Sequence, residues 1–171
     1  ALIMARTYDA EAPMPAGDTM HEACGIVGIY APGNEVARHA YFGLYALQHR
    51  GQESAGMAAY DSEGRIVSRI GMGKVREVFH DSGLQLPYTR CGIGHVRYST
   101  TGSSCVENAG PFVVDASHSS QYEAIAVAHN GNLVNGPALR DQFPPEMLHS
   151  TTDSEAIALL LLHAEGRTLR E

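Results

Sequence analysis

The order of short apolar strands and single helices limits the possible folds more than any other feature of this sequence. Strand-like runs form hairpin-like groups, such as residues 54–61 and 65–71, which are joined by a Ser-Glu-Gly turn. Residues 122–128 are almost continuously apolar, which predicts a central strand. Helical periodicity interrupts the strands over residues 34–50 and 153–166, and in the first of these segments Val36, Ala40, Leu44 and Leu47 share one face. This pattern favours an α+β fold with antiparallel sheets over an alternating, doubly wound fold.

Length, charge and cysteine content exclude several classes of protein. The chain has 171 residues, which suits one domain. Its net charge of −7 argues against non-specific nucleic-acid binding, and no apolar run approaches the roughly 18 residues of a membrane span. Three cysteines without paired spacing argue against a disulfide framework and a zinc knuckle, and favour a reducing, cytoplasmic compartment: Cys24, Cys91 and Cys105.

A polar leader, residues 1–23, precedes the first predicted strand at Cys24. It contains acidic residues and lacks a long apolar segment. It is therefore neither a secretory signal nor a typical transit peptide.

Four short clusters are rich in Gly, His, Arg and Asn, and each lies at the end of a predicted element, where functional sites are usually built. The clusters are QHRGQESAG (48–56), GHVRYSTTG (94–102), AHNGN (128–132) and STTDSE (150–155). Taken singly, each has a simpler interpretation as a helix terminus, a tight Asn-Gly turn or a helix cap. For the last helix, Thr152 and Glu155 have the spacing of a capping box. The functional interpretation depends on the clusters occurring together and in this order.

Together with CGIVGIYAPG at residues 24–33, the clusters resemble the glutamine amidotransferase domain of the amidophosphoribosyltransferase family, over Cys24 to about Leu162. The resemblance implies an N-terminal-nucleophile hydrolase fold, a four-layer αββα sandwich of two antiparallel sheets, shortened at its C-terminus. In the related glucosamine-6-phosphate synthase branch, the motifs that correspond to QHRGQESAG and GHVRYSTTG are usually closer to YRGYDSAG and GHTRWATHG. The clusters of this chain therefore resemble the amidophosphoribosyltransferase family more closely.

The family's nucleophile is a cysteine at the mature N-terminus, which corresponds to Cys24. A thiol needs a base near neutral pH, and a free α-amino group on the same residue, with a pKa of about 7.7–8.0, would supply one. The resemblance implies that the Asn130 side chain and the Gly131 backbone N–H stabilise the oxyanion formed when the thiolate attacks glutamine.

The resemblance also assigns residues to substrate recognition. Arg97 would bind the α-carboxylate of glutamine through its guanidinium, and Asp153 would bind the α-ammonium. Thr100 belongs to the loop that folds over glutamine, and Arg50 lies in the active-site motif. We expect His95 and His129 to make structural hydrogen bonds, and we expect no metal site or cofactor in this chain.

The resemblance further predicts the domain organisation. Residues 1–23 would be a propeptide that is removed between Ala23 and Cys24, and residues 24–171 would be a partial type 2 glutamine amidotransferase domain. The phosphoribosyltransferase domain, with its Mg²⁺ ion, is expected to be absent, and the [4Fe–4S] cluster frequent in propeptide-bearing members would lie beyond residue 171. The complete enzyme, expected to be a homotetramer, would use the ammonia to convert phosphoribosyl pyrophosphate to 5-phosphoribosylamine, the first committed step of purine (IMP) synthesis.

Two alternatives stay open at this point. One is another enzyme of the same fold, such as an aminosugar synthase or a glutamate synthase relative. The other is a non-catalytic module that senses glutamine or mediates an interaction.

Overall fold

The computed structural model describes residues 2–4, 24–32, 35–61, 63–80, 90–98, 103–115 and 124–164. The strands are β1 (Leu2–Met4), β2 (Gly25–Tyr30), β3 (Ser54–Tyr60), β4 (Ile66–Met72), β5 (Cys91–Arg97), β6 (Phe112–Asp115) and β7 (Ala124–Ala128). The α-helices are α1 (Val36–Ala46), α2 (Val75–Val78), α3 (Gly136–Arg140) and α4 (Asp153–His163). Short 3-10 turns lie at Gln48–Arg50, Val106–Asn108 and Pro145–Met147.

Two sheets form the centre of the domain. The larger has the strand order β2-β5-β3-β4, with antiparallel neighbours throughout. The smaller has the order β1-β7-β6. The predicted hairpin is confirmed as β3 and β4. The described part of the apolar run at residues 122–128 is β7 (Ala124–Ala128), the central strand of the smaller sheet, as predicted.

The buried apolar side chains form three clusters, each of which lies between two layers of secondary structure. One cluster lies between α1, α2 and the outer face of the larger sheet, and includes Leu44, Met57 and Val96. A second lies between the sheets, where Ile93 meets Ala126. A third joins the smaller sheet to α4. The order helix, sheet, sheet, helix is the predicted four-layer α+β sandwich.

The sequence also predicted correctly which face of α1 is buried. Val36, Ala40 and Leu44 are all at most 2% exposed, as their helical spacing requires. Leu47, the fourth residue predicted on this face, follows the last residue of α1 and is half-buried. The helix can lie close to the sheet because Gly94 of β5 has no side chain. A Cβ at Gly94 would stand 2.7 Å from a Leu44 methyl carbon.

The pairing of β1 was not predicted. Residues 2–4 of the leader pair in parallel with β7, with Leu2 opposite Ala126 and Met4 opposite Ala128. The smaller sheet is therefore mixed, with an antiparallel β6–β7 pair and a parallel β1–β7 pair. Since β7 leads directly to Asn130, the leader strand pairs with an element of the candidate site. The Ala23–Cys24 bond, where cleavage is predicted, involves a residue outside the described ones.

Among the described residues, no helix is long and apolar enough to cross a membrane.

Candidate active site

The Cys24 side chain lies immediately before β2, at the end of the larger sheet, and is half-buried. Its sulfur contacts the backbone of Tyr98, the residue that follows β5. The Tyr98 N–H donates to Cys24 Sγ at 3.4 Å, and Sγ lies 3.5 Å from the Tyr98 carbonyl oxygen. The antiparallel pairing of β2 with β5 places the two residues side by side, because Gly25 lies opposite Val96.

Two predicted site residues meet at the Cys24 carbonyl. Asn130 Nδ2 donates to this oxygen at 2.8 Å, and Arg50 Nε donates to it at 3.3 Å. Arg50 comes from the turn after α1, and Asn130 comes from the end of β7, 106 residues after Cys24. Gly131 follows Asn130 on the exposed side of this turn. The packing of the two sheets therefore brings three of the predicted residues together: the cysteine, the asparagine and the first arginine.

Arg97 lies at the end of β5 and is buried, with 6% of its surface exposed. Its guanidinium forms an ion pair and hydrogen bond with the Glu53 carboxylate, and Nη1 lies 3.5 Å from the Ser103 carbonyl oxygen. Gly51 allows this arrangement, because a Cβ there would stand 2.7 Å from the Arg97 backbone. Burial of the charge is offset by the carboxylate that accompanies it.

Asp153, the first residue of α4, is oriented by the turn that contains the candidate oxyanion residues. Leu133 N–H donates to Asp153 Oδ2 at 2.6 Å, and His129 Nδ1 lies 3.8 Å from Oδ1. His129 Nδ1 is also 3.2 Å from Ser154 Oγ, so His129 has the structural hydrogen bond that was expected. The carboxylate is thus fixed beside the segment that carries Asn130.

The start of α4 differs from the predicted capping box. Thr152 Oγ1 accepts from Glu155 N–H at 3.4 Å, which is the predicted half. The Glu155 carboxylate does not return to Thr152; it accepts from the N–H groups of His149 and Ser150, each at 2.8 Å. Arg140 completes the turn by donating to the carbonyl oxygens of Ser150 and Thr152, each at 2.6 Å. The buried carboxylate therefore stabilises the turn before the helix instead of the helix N-terminus.

The prediction for His95 was wrong. Its ring is buried between the sheets, and among the described residues neither ring nitrogen has a hydrogen-bond partner. Burial, with smaller contributions from the positive charge of Arg97 and from His129, lowers the pKa of His95 to about 4. His95 is therefore neutral at physiological pH.

Of the predicted site residues, Thr100 lies outside the described residues. Cys24, Arg50 and Asn130 are in direct contact, and Arg97 adjoins them through its neighbour Tyr98. Asp153 is joined to the Asn130 turn through Leu133.

Three residues of this region were missed from the sequence. Glu53 and Tyr98 lie inside two of the motif clusters, so their position in the motifs was an available signal. Asn108 is 1% exposed and links the loop after β5 to the turn before α4, but nothing in its local sequence distinguishes it from a loop asparagine.

No protein-family model matches the chain. Curated proteins of similar sequence do match it. An amidophosphoribosyltransferase from Synechococcus elongatus is 46% identical over 166 residues, covering 95% of this chain and 33% of the relative. The enzyme of that name from Archaeoglobus fulgidus is 54% identical over 141 residues, which cover 81% of this chain and 30% of the relative.

Solved structures agree with these relatives. A structure described as the allosteric regulatory enzyme of purine biosynthesis superposes with a TM-score of 0.70 at 35% identity, covering 85% of this chain and 30% of that one. Glutamine phosphoribosylpyrophosphate amidotransferase from Bacillus subtilis, complexed with ADP and GMP, superposes with a TM-score of 0.64 at 34% identity, covering 86% and 30%.

The chain spans about a third of the length of the curated relatives that it matches. These relatives favour the predicted family over the aminosugar synthase and glutamate synthase alternatives. Over the length that it spans, which corresponds to the N-terminal domain of its relatives, the chain belongs to the amidophosphoribosyltransferase family.

Proposed function

We propose that this domain hydrolyses glutamine to glutamate and ammonia, with Cys24 as the nucleophile. The observation that carries the proposal is the convergence of Asn130 and Arg50 on the Cys24 carbonyl, beside the sulfur. A cysteine, an amide donor and a cation from three separate segments meet at one point, which a purely structural cysteine does not require.

Asn130 can serve two acceptors at once. Its amide nitrogen carries two hydrogens. One donates to the Cys24 carbonyl and thereby holds the side chain in place. The other is available to an oxyanion that forms next to the sulfur, together with the Gly131 N–H. Preorganised donors of this kind contribute strongly to acyl transfer, because they need no rearrangement as charge develops.

Arg50 has a supporting role in the proposal. Its Nε donates to the carbonyl of the residue that carries the nucleophile, so it fixes the Cys24 backbone and keeps a positive charge nearby. This assigns Arg50 to positioning of the cysteine instead of direct binding of glutamine.

The reaction then proceeds through a thioester. The Cys24 thiol passes its proton to the free α-amino group of the same residue, and the thiolate attacks the side-chain carbonyl carbon of glutamine. The resulting oxyanion accepts from Asn130 and Gly131. Collapse of this intermediate breaks the C–N bond, and ammonia leaves with a proton from the α-ammonium of Cys24. Water then attacks the thioester, which releases glutamate and restores the thiol.

The α-amino group of Cys24 can act as the base only when the Ala23–Cys24 bond is cleaved, because a peptide nitrogen does not accept a proton near neutral pH. We therefore infer that residues 1–23 are a propeptide. The α-carboxylate of glutamine would pair with Arg97 and its α-ammonium with Asp153, with Thr100 in the loop above them.

The activity of the whole enzyme is a further proposal. The ammonia would pass to a phosphoribosyltransferase domain and displace pyrophosphate from phosphoribosyl pyrophosphate, giving 5-phosphoribosylamine. The homotetramer, the Mg²⁺ ion, the [4Fe–4S] cluster and the cytoplasmic location stay predictions from the family resemblance. Among the described residues, no group of three or more His, Cys, Asp and Glu side chains is placed to hold a metal ion, and no step above uses one.

The test measures ammonia release from glutamine by the processed chain, by Cys24→Ala and by Cys105→Ala, a half-buried cysteine that serves as the matched control. We expect loss of activity in Cys24→Ala alone. Equal activity in all three chains would refute the role of Cys24. The propeptide is tested separately by intact mass: a fully active protein that retains residues 1–23 would contradict cleavage.

A further inference from the structure

Asn108 is a buried polar side chain that the mechanism above does not use. It ends the short 3-10 turn Val106–Asn108 and is 1% exposed. Its main partner, Thr151, is 43 residues away along the chain. A fully buried carboxamide in a loop needs partners for both of its ends, and these partners indicate what it holds together.

Both ends of the Asn108 amide are engaged, and with two different segments. Nδ2 donates to the Ser103 carbonyl oxygen and to Thr151 Oγ1, each at 2.9 Å. Oδ1 accepts from the Thr151 N–H at 2.9 Å. The donor and the acceptor are both required, so neither aspartate nor alanine reproduces the set.

The two segments lead to Arg97 and Asp153, the residues proposed to bind the two charges of glutamine. The Ser103 carbonyl oxygen also lies 3.5 Å from Nη1 of Arg97. Thr151 lies two residues before Asp153, in the turn that the Glu155 carboxylate ties to α4. A short path of hydrogen bonds therefore runs from the buried guanidinium, through the Asn108 amide, to the start of the helix that carries the carboxylate.

We propose that Asn108 is a positioning residue that sets the spacing between Arg97 and Asp153, and so makes the site specific for a free α-amino acid. The inference rests on the proposed function, because it assigns a cause to the recognition of glutamine. The two charges of the substrate sit on one carbon atom, so a cation and an anion must be held at a defined separation to bind both. A substrate with a single charge is insensitive to that separation.

The experiment compares two substrates on the same preparation of processed chain: glutamine, and 4-carbamoylbutanoate, which is glutamine without the α-ammonium. Ammonia release gives kcat/KM for each. The ratio of the two values does not depend on the fraction of folded protein, so it separates positioning from a loss of stability. The variants are Asn108→Ala, Thr151→Val and Thr151→Ser. Thr151 is exposed, and valine is an isosteric replacement, so the Thr151 variants guard against failure of Asn108→Ala to fold.

We expect the preference for glutamine to fall about tenfold in Asn108→Ala, mainly through KM. In Thr151→Val, which loses both contacts of the Thr151 hydroxyl with the Asn108 amide but keeps the bond from the Thr151 N–H, it should fall about two- to threefold, and in Thr151→Ser it should stay unchanged.

An unchanged preference in folded Asn108→Ala would overturn the inference and leave the proposed function standing. If Asn108→Ala does not fold, an unchanged preference in Thr151→Val overturns the inference, and a reduced one supports it. A parent chain that hydrolyses glutamine without preferring it to 4-carbamoylbutanoate would overturn the inference through Asp153. No hydrolysis by the parent chain would overturn the proposed function and the inference together.

Discussion

Acidification should destabilise this protein through His95, whose ring lies between the two sheets. The side chain is 5% exposed, and Gly110 packs so closely that a Cβ there would stand 2.8 Å from the ring nitrogen Nδ1. Among the described residues neither ring nitrogen has a hydrogen-bond partner, and the Arg97 guanidinium lies on the same strand two residues away. A proton on this imidazole would be a buried charge beside another positive charge.

The magnitude follows from linkage between protonation and folding. The pKa of His95 is lowered from 6.5 to about 4, first by burial and then by Arg97 and His129. In the unfolded chain the imidazole takes up a proton near pH 6.5, whereas the folded chain resists until about pH 4. The stability that the protein has while His95 is neutral is therefore fully present above pH 6.5, and it is lost progressively as the pH falls towards 4. At about 1.36 kcal/mol per pH unit, the full loss is about 3 kcal/mol.

The assay is urea unfolding followed by far-ultraviolet circular dichroism at several pH values between 7 and 4. The parent chain is compared with His95→Gln, which has no imidazole to protonate, and with His39→Gln, an exposed histidine, as the matched control. Carboxylates titrate in all three chains, so the difference between the curves isolates His95. We expect the parent and His39→Gln to lose about 3 kcal/mol more than His95→Gln over this range.

Parallel curves for the parent chain and His95→Gln from pH 7 to 4 would refute the reasoning. So would a nuclear magnetic resonance titration in which the His95 ring protonates near pH 6.5 in the folded protein.

The remaining predictions concern the candidate site and the turn before α4. Asn130→Ala should lower kcat for glutamine hydrolysis about 100- to 1,000-fold at little cost in KM, and an unchanged kcat would exclude an oxyanion role. Asp153→Ala should raise KM for glutamine about 30-fold or more while KM for 4-carbamoylbutanoate stays constant, because only glutamine loses an ionic partner. Glu53→Gln should lower the free energy of unfolding by about 2 kcal/mol, since buried Arg97 loses a carboxylate partner; Glu63→Gln, at an exposed ion pair, is the matched control and should have no measurable effect. Glu155→Ala should cost about 3 kcal/mol by urea unfolding, because two backbone N–H groups lose their acceptor, and a cost below 1 kcal/mol would contradict the hydrogen bonds described here.

Local features of the sequence were sufficient for many of the elements, although not for β1. The spacing of Val36, Ala40 and Leu44 predicted the buried face of α1, because helical periodicity is a property of neighbouring residues. The apolar run at residues 122–128 predicted β7 for the same reason. The motif clusters, through the family resemblance, predicted the αββα arrangement and named the residues that the structure brings to Cys24.

The predictions that failed involved the surroundings of single side chains. His95 was expected to be hydrogen-bonded, and the Glu155 carboxylate was expected to bond back to Thr152. Both outcomes depend on which backbone or side-chain groups the fold places nearby, and residue spacing carries no information on that.

The amino-acid sequence by itself determined where many of the strands and helices form and which face α1 buries, since hydrophobic periodicity acts within a few residues. Only the tertiary structure decided that Asn130 and Arg50 meet at the Cys24 carbonyl, that Glu53 accompanies Arg97, and that Asn108 joins two loops. These contacts join residues 26 to 106 positions apart. They exist because the two sheets pack face to face and bring the ends of their strands together. The relative position of the sheets depends on the packing of the whole core.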